Sequence, residues 1–198
     1  MDYNAILAAT CLARKNWSDW QDVFEHSGPI TTNPLFAERR FGEFCRDYSV
    51  GRTIRKGTRD DFRELRKELP VATKDDTGRA LDKLESRLRE RFSTGNGERR
   101  LISVVSKTSA FVRPERFVAW DRFAKQGANI ALGRGQSLQF HDYAEYLAAF
   151  DRIWNDERGE AIREYAAKQR RGSGVEREPR FLRRVLDVHL MILGGRQL

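Results

Sequence analysis

Apolar residues recur at helical spacing along most of this chain, and that periodicity restricts its fold more than any other feature. Leu81, Leu84, Leu88 and Phe92 follow one another at intervals of three, four and four residues, which places them on one face of a helix. No run of short alternating strands and turns accompanies such stripes. We therefore predict an all-α fold in which any sheet is minor.

Capping residues mark where several of these helices begin and end. Asp121 and Asp142 each stand directly before a helical pattern, in the position where a carboxylate accepts the first free backbone amides. Pro34 and Pro179 suit the first turn of a helix, where the missing N–H costs nothing. Gly194 closes the last apolar pattern. We predict helices that start at these residues and a final helix that ends at Gly194.

Length and charge narrow the class of protein. A chain of 198 residues suits one large domain or two small lobes. Its 37 Lys and Arg against 29 Asp and Glu give a formal net charge of +8, which favours polyanionic partners through counterion release. DNA and RNA are the commonest of these partners. A basic amphipathic helix suited to a membrane surface is absent from the pattern, as is a run of 18 apolar residues, so we expect no membrane association.

The cysteines and the first residues indicate the compartment. Cys11 and Cys45 lie in apolar-periodic stretches without a C-x-x-C pair or a histidine cluster, so we expect two buried free thiols and no zinc site. No basic segment followed by an apolar run opens the chain, so we predict a cytoplasmic protein.

The segment 101–121 carries the residues best suited to chemistry. Lys107 lies within an apolar stretch whose β-branched residues leave helix and strand both open. We expect Lys107 to end one element, Pro114 to turn the chain and Asp121 to return beside it. A carboxylate in such a cleft can stabilise a cationic sugar carbon, and an amine there can attack that carbon to form a Schiff base.

This segment resembles the active-site region of the helix–hairpin–helix DNA glycosylases, whose hairpin reads roughly L-P-G-V-G-x-K-T-A and is followed by an aspartate at a helix start. Ser103 and Val105 replace the two hairpin glycines, so the nearer comparison is the divergent branch similar to 8-oxoguanine glycosylases. The matching positions are Leu101, Val104, Lys107, Thr108, Asp121 and, with serine for the small alanine, Ser109.

The resemblance implies one glycosylase-like domain over residues 1–198, with two helical lobes around a cleft and a soft boundary near residue 95. It implies that Asp121 is the catalytic carboxylate and Lys107 the Schiff-base amine of an enzyme that removes an altered base from DNA, with or without β-lyase activity. Such enzymes extrude the target nucleotide from the duplex into a pocket. We expect a monomer that needs no cofactor or metal, and a modified base of phage DNA, hence phage defence, is one target to consider.

Further residues join the predicted site by position. Trp20 and Trp120 are candidates for the base pocket, although we expect at least two of Trp17, Trp20 and Trp120 to be packed in the core. Candidate DNA contacts are Arg99, Arg100, Ser103, Ser106, Thr108 and Arg134.

Two other functions stay open. The chain is equally consistent with a non-catalytic nucleic-acid-binding module, in which Asp121 is only a helix cap and Lys107 only a surface lysine. A protein-interaction adaptor whose charge serves solubility is the other alternative. Salt-sensitive DNA binding separates the adaptor from the first two, and base release separates the enzyme from the module.

Overall fold

The structure is a computed structural model, and helices are the regular elements found in the part it describes. That part comprises residues 3–26, 30–48, 50, 63, 65–69, 78–92, 101–135, 138–168, 174–175 and 178–197. No strand occurs among these residues, so the all-α prediction is confirmed. None of the described helices is long and apolar enough to cross a membrane.

Nine α-helices follow one another along the described segments. They are α1 (Tyr3–Asp19), α2 (Gln21–Glu25), α3 (Glu38–Asp47), α4 (Gly78–Phe92), α5 (Ile102–Val112), α6 (Arg122–Ala131), α7 (Tyr143–Trp154), α8 (Glu157–Lys168) and α9 (Pro179–Leu193). Two 3₁₀ turns, Ile30–Thr32 and Pro34–Phe36, precede α3, and residues 65–69 are helical as well.

Four of the five helix boundaries predicted from capping residues are confirmed. Asp121 and Asp142 are the N-caps of α6 and α7, Pro179 is the first residue of α9 and Gly194 is its C-cap. Pro34 opens only a 3₁₀ turn, because Ala37 is extended (ψ 136°) and α3 begins after it.

The chain divides into two compact units, and the division does not fall near residue 95. The first unit joins residues 1–21 to residues 120–198, and the second runs from residue 22 to residue 119. The N-terminal helix belongs with the C-terminal ones because α1 packs along α9, where the Trp17 and Phe181 rings meet edge to face at 5.5 Å.

In the first unit, α9 is the central helix and its backbone touches that of α6. A β-carbon built on Gly127 of α6 would lie 1.9 Å from the carbonyl oxygen of Leu190, and one on Gly194 would lie 1.9 Å from that of Phe123. Both contacts are with backbone atoms, which cannot turn aside as a side chain can. Glycine at these two positions therefore sets the distance between α6 and α9.

Arginines bind the carbonyls left free at two helix ends in this unit. Arg158 of α8 donates to the carbonyl of Ala131 at the end of α6, and Arg163 donates to the carbonyl of Trp154 at the end of α7. A cation at a helix C-terminus also interacts favourably with the helix dipole. The start of α8 is in this way tied to the ends of both helices before it.

The second unit is organised around Phe111 of α5. The ring of Phe111 lies 5.1 Å from that of Phe24, 5.1 Å from that of Phe44 and 4.6 Å from that of Tyr48. The start of α5 is capped from outside, since the buried carboxylate of Glu85 on α4 accepts the backbone N–H of Leu101 at 2.7 Å. These contacts hold α5 against α3 and α4.

Candidate functional site

Asp121 is held at the start of α6 by its own helix. Its Oδ1 accepts the backbone N–H of Phe123 at 2.9 Å and that of Ala124 at 3.5 Å. Its Oδ2 accepts no hydrogen bond from the described part of the chain. Residues 117–119 just before it are buried, and the Asp121 side chain is itself half-buried. The carboxylate is therefore fixed through one oxygen, and the described residues leave the other without a hydrogen bond.

Aromatic rings surround the residue that precedes this carboxylate. The half-buried Trp120 ring lies 5.6 Å from Tyr146, edge to face, and 6.2 Å from Tyr143, both on α7. The Nζ of Lys125, one turn into α6, stands 3.9 Å from the centre of the Trp120 ring. A cation–π contact of this kind is worth about 0.5–1 kcal/mol at an exposed site. One face of Trp120 is thus already covered by a cation.

Behind this layer lies a buried polar group. Tyr146 is fully buried and its hydroxyl has no hydrogen-bond partner in the described residues, while Asp187 of α9 is 2% exposed and bonded to Arg184. Burial raises the pKa of Tyr146 well above its usual value, and the negative charges of Asp187 and Asp121 raise it further. Tyr146 is therefore a neutral phenol within the electrostatic reach of Asp121.

Lys107 lies in the middle of α5 and does not end an element, which corrects the expectation from the sequence. Its half-buried side chain donates from Nζ to the carbonyl of Tyr48 at 3.4 Å, and Tyr48 is the C-cap of α3. A lysine at a helix C-terminus stabilises that end by charge. In this structure Lys107 therefore serves α3 as a capping residue.

The hairpin implied by the resemblance is not formed at residues 101–109. A single helix covers Ile102–Val112, so the positions aligned with the hairpin glycines, Ser103 and Val105, are ordinary helical residues. Neither requires a backbone conformation reserved for glycine. The sequence left helix and strand both open for this segment, and the structure shows a helix. Packing of its apolar side chains, most of which are buried, stabilises that helix.

Three of the six other predicted DNA contacts, Ser106, Thr108 and Arg134, bind within the protein itself. Ser106 and Thr108 are fully buried, and their hydroxyls donate to carbonyls of α5, so the structure does not offer them to a ligand. Ser103 is half-buried. Arg134 is half-buried and 3.8 Å from the Glu145 carboxylate. Arg99 and Arg100 lie outside the described residues.

The tryptophans divide as expected. Trp17 and Trp20 are both 3% exposed and belong to the core, so the base-pocket assignment of Trp20 has no exposed ring to support it. Trp120 is half-buried and remains the one of the three that reaches the surface. Trp120 and Asp121 belong to the first unit, whereas Lys107 belongs to the second.

Sequence reasoning missed Tyr146 and Asp187. A signal for Asp187 existed, because it interrupts an apolar run between Leu186 and Val188 in the last helix, and a carboxylate there must be buried or strained. Tyr146 carried no such signal, since an aromatic residue in an apolar stripe reads as ordinary core. The proximity of Tyr146 to Asp121 and to Asp187 arises only when α7 and α9 pack against α6.

Comparisons of the whole chain with protein-family models, with curated proteins and with solved structures give no match. Among the described residues no group of three or more His, Cys, Asp or Glu is placed to hold a metal ion.

Proposed function

We propose that this chain binds DNA and removes an altered base by hydrolysis of its glycosidic bond, with Asp121 as the catalytic carboxylate. The observation that carries the proposal is the geometry of Asp121, whose Oδ1 is anchored by two backbone amides while Oδ2 accepts none from the described residues. A carboxylate fixed in this way is preorganised to face a developing positive charge.

The reaction balances without a cofactor. The bond between C1′ and the base nitrogen breaks, and its electron pair leaves with the base. The Asp121 carboxylate stabilises the cationic C1′ until water adds its oxygen there. One proton of that water stays on the new C1′ hydroxyl and the other ends on the released base. The role of Asp121 is electrostatic, and no proton is transferred to its carboxylate.

The surroundings of Asp121 support this role. Tyr143 and Tyr146 are fully buried, and Tyr146, which stays uncharged, lies within the electrostatic reach of Asp121. Coulomb attraction between a carboxylate and a sugar cation is stronger near buried groups than in bulk water. The net charge of +8 supports DNA as the partner, since phosphate neutralisation releases counterions.

A second candidate function, the non-catalytic nucleic-acid-binding module, is favoured by a different observation. Residues Ile102–Val112 form one helix without the glycine hairpin, and Lys107 already donates to the Tyr48 carbonyl. A module of this kind needs the basic charge and the helices but no free carboxylate oxygen.

The decisive experiment compares Asp121→Asn with Asp142→Asn. Both residues are N-caps in the first unit, and Asp142 Oδ1 accepts the N–H of Glu145 at 2.8 Å. Asparagine caps a helix about as well as aspartate, so each variant should keep its stability within about 1 kcal/mol. Duplex oligonucleotides carrying one altered base each, 8-oxoguanine, uracil, an alkylated purine and 5-hydroxymethylcytosine among them, are incubated with protein, and released base is measured by mass spectrometry.

We expect base release by the wild type and by Asp142→Asn, and a loss of at least about a hundredfold in Asp121→Asn. Equal activity in all three proteins would remove Asp121 from the mechanism. Salt-dependent binding without release of any base in the panel would favour the second candidate. Absence of salt-dependent binding would contradict both and leave the adaptor.

The role of Lys107 is tested separately by borohydride trapping on DNA with an abasic site. If Lys107 forms a Schiff base, a covalent complex appears in the wild type and in Lys83→Ala, an exposed lysine of α4 in the same unit, but not in Lys107→Ala. Base release without a trapped complex would assign the chain to hydrolysis alone and leave Lys107 as a cap of α3.

A further inference from the structure

A small pocket opens on the side of α6, next to Asp121 but lined by other residues. Its volume is about 180 Å³, and residues of α6 and of the segment 138–140 line it. This is smaller than the 300–1,000 Å³ that encloses a whole drug-sized ligand, so a nucleotide bound here would keep part of its surface in solvent.

Two cations line this pocket. Arg122 is exposed and forms no ion pair with the described residues, and its guanidinium lies 5.5 Å from the centre of the neighbouring Phe123 ring. Lys125 lines the pocket from one turn further along the helix. None of the described lining residues is acidic, so the charged groups of this pocket are all positive. Such a pocket attracts a phosphate.

Three carboxamide side chains line the pocket. Gln126 belongs to α6 and Gln139 to the segment 138–140, and Asn129 is almost completely buried at 1% exposure. Asn129 donates from Nδ2 to the Leu138 carbonyl at 2.7 Å, which ties α6 to the segment 138–140. Its Oδ1 accepts no hydrogen bond from the described residues.

Two apolar residues also line the pocket. Phe140 is buried, whereas Leu138 is 51% exposed, the largest value for a leucine among the described residues. A flat ring laid against Leu138 would remove that surface from water. The lining thus combines cations that attract a phosphate, amides that can donate to and accept from a polar edge, and apolar surface for a ring face.

We propose that this pocket binds one nucleotide unit, with its phosphate on Arg122 and Lys125 and its base against Leu138 within reach of the Gln126 and Gln139 amides. Amide side chains pair with base edges because they offer a donor and an acceptor side by side. The inference rests on the proposed function only in taking the nucleotide from DNA. A free mononucleotide has the same chemistry.

Binding is measured in two arms with the full chain. In the first arm, deoxynucleoside 5′-monophosphates, the matching nucleosides and inorganic phosphate are titrated into ¹⁵N-labelled protein. We expect the side-chain amide signals of Gln126 and Gln139 to shift with mononucleotides and not with inorganic phosphate. In the second arm, fluorescence anisotropy follows a labelled single-stranded oligonucleotide over a range of salt concentrations.

The variants are Arg122→Gln and Lys125→Gln, and the matched control is Arg152→Gln, an exposed arginine of α7 that does not line the pocket. We expect each pocket variant to weaken oligonucleotide binding about tenfold and to lower the salt slope by about 0.7, the value for one lost contact to a single strand. The control should change binding less than twofold. Thermal melts confirm that all three variants remain folded.

Each result decides. If the Arg122 and Lys125 variants weaken both mononucleotide and oligonucleotide binding, or oligonucleotide binding alone, the proposal is supported with DNA as the source of the nucleotide. Mononucleotide binding without oligonucleotide binding keeps the pocket but makes the ligand a free nucleotide. Equal weakening by the control, or no effect of the pocket variants in either arm, overturns the inference. Base release by Asp121 is not measured here, so a catalytically inactive protein could still confirm the pocket.

Discussion

Gly127 on α6 and Leu190 on α9 are in backbone contact, since a β-carbon at residue 127 would stand 1.9 Å from the Leu190 carbonyl oxygen. Gly194, one turn further along α9, makes the reciprocal contact with the carbonyl of Phe123. The two glycines hold α6 against the central helix of its unit. Asp121 caps α6, and residues of α6 line the pocket beside it, so this contact between the helices also positions the candidate site.

We predict that Gly127→Ala destabilises the protein by about 3 kcal/mol, the upper end of the range for overpacking, because the obstructing atom belongs to a backbone. Gly42→Ala is the matched control, since Gly42 lies inside α3 and its β-carbon would meet nothing within 4 Å. There alanine should raise stability by about 0.5–1 kcal/mol through helix propensity. Urea unfolding followed by circular dichroism measures both, and a neutral Gly127→Ala would contradict the close approach.

The two cysteines should react at very different rates. Cys45 is buried, and burial raises the pKa of its thiol to about 12, so the thiolate that reacts with electrophiles is scarce at pH 7.5. Cys11 is exposed, contrary to the expectation that both thiols are buried. We predict that maleimide labels Cys11 within minutes and Cys45 only after unfolding. Mass spectrometry of peptides from native and urea-treated protein checks this, and Cys11→Ser should leave native protein unlabelled.

Tyr146 should make the protein less stable in alkali. Its phenol keeps its proton in the fold because burial, then the charges of Asp187 and Asp121, raise its pKa well above 10.0, whereas the unfolded chain loses that proton near pH 10. The native state then binds one proton more than the unfolded state, so the free energy of unfolding falls as pH rises above 10, at about 1.4 kcal/mol per pH unit from this residue.

Tyr146→Phe removes this difference and should make the decline shallower by that amount between about pH 10 and 11. At pH 7 we expect a change below about 1 kcal/mol, because the hydroxyl that is lost had no hydrogen-bond partner in the described residues. Urea unfolding at a series of pH values measures both effects. An unchanged alkaline slope would show that Tyr146 ionises in the fold as readily as in the unfolded chain.

Local pattern predicted the candidate site in part. The position of Asp121 at the start of a helix could be predicted because capping depends on a few consecutive residues. The environment of Lys107 could not, since its partner Tyr48 lies 59 positions earlier in the chain. The hairpin alignment failed for a related reason, because apolar contacts with other helices, through Phe111 above all, stabilise residues 102–112 as one helix.

The sequence by itself determined the helical class and several helix ends, because periodicity, caps and proline act within one or two turns. Only the tertiary structure decided which residues meet. It placed Tyr146 within the electrostatic reach of both Asp121 and Asp187, opened the pocket between α6 and Leu138, and buried Ser106 and Thr108, which the resemblance had suggested as DNA contacts. The physical reason is that burial and proximity depend on how the helices pack. Serine, threonine, tyrosine and aspartate at the same positions could equally face solvent if the helices packed differently.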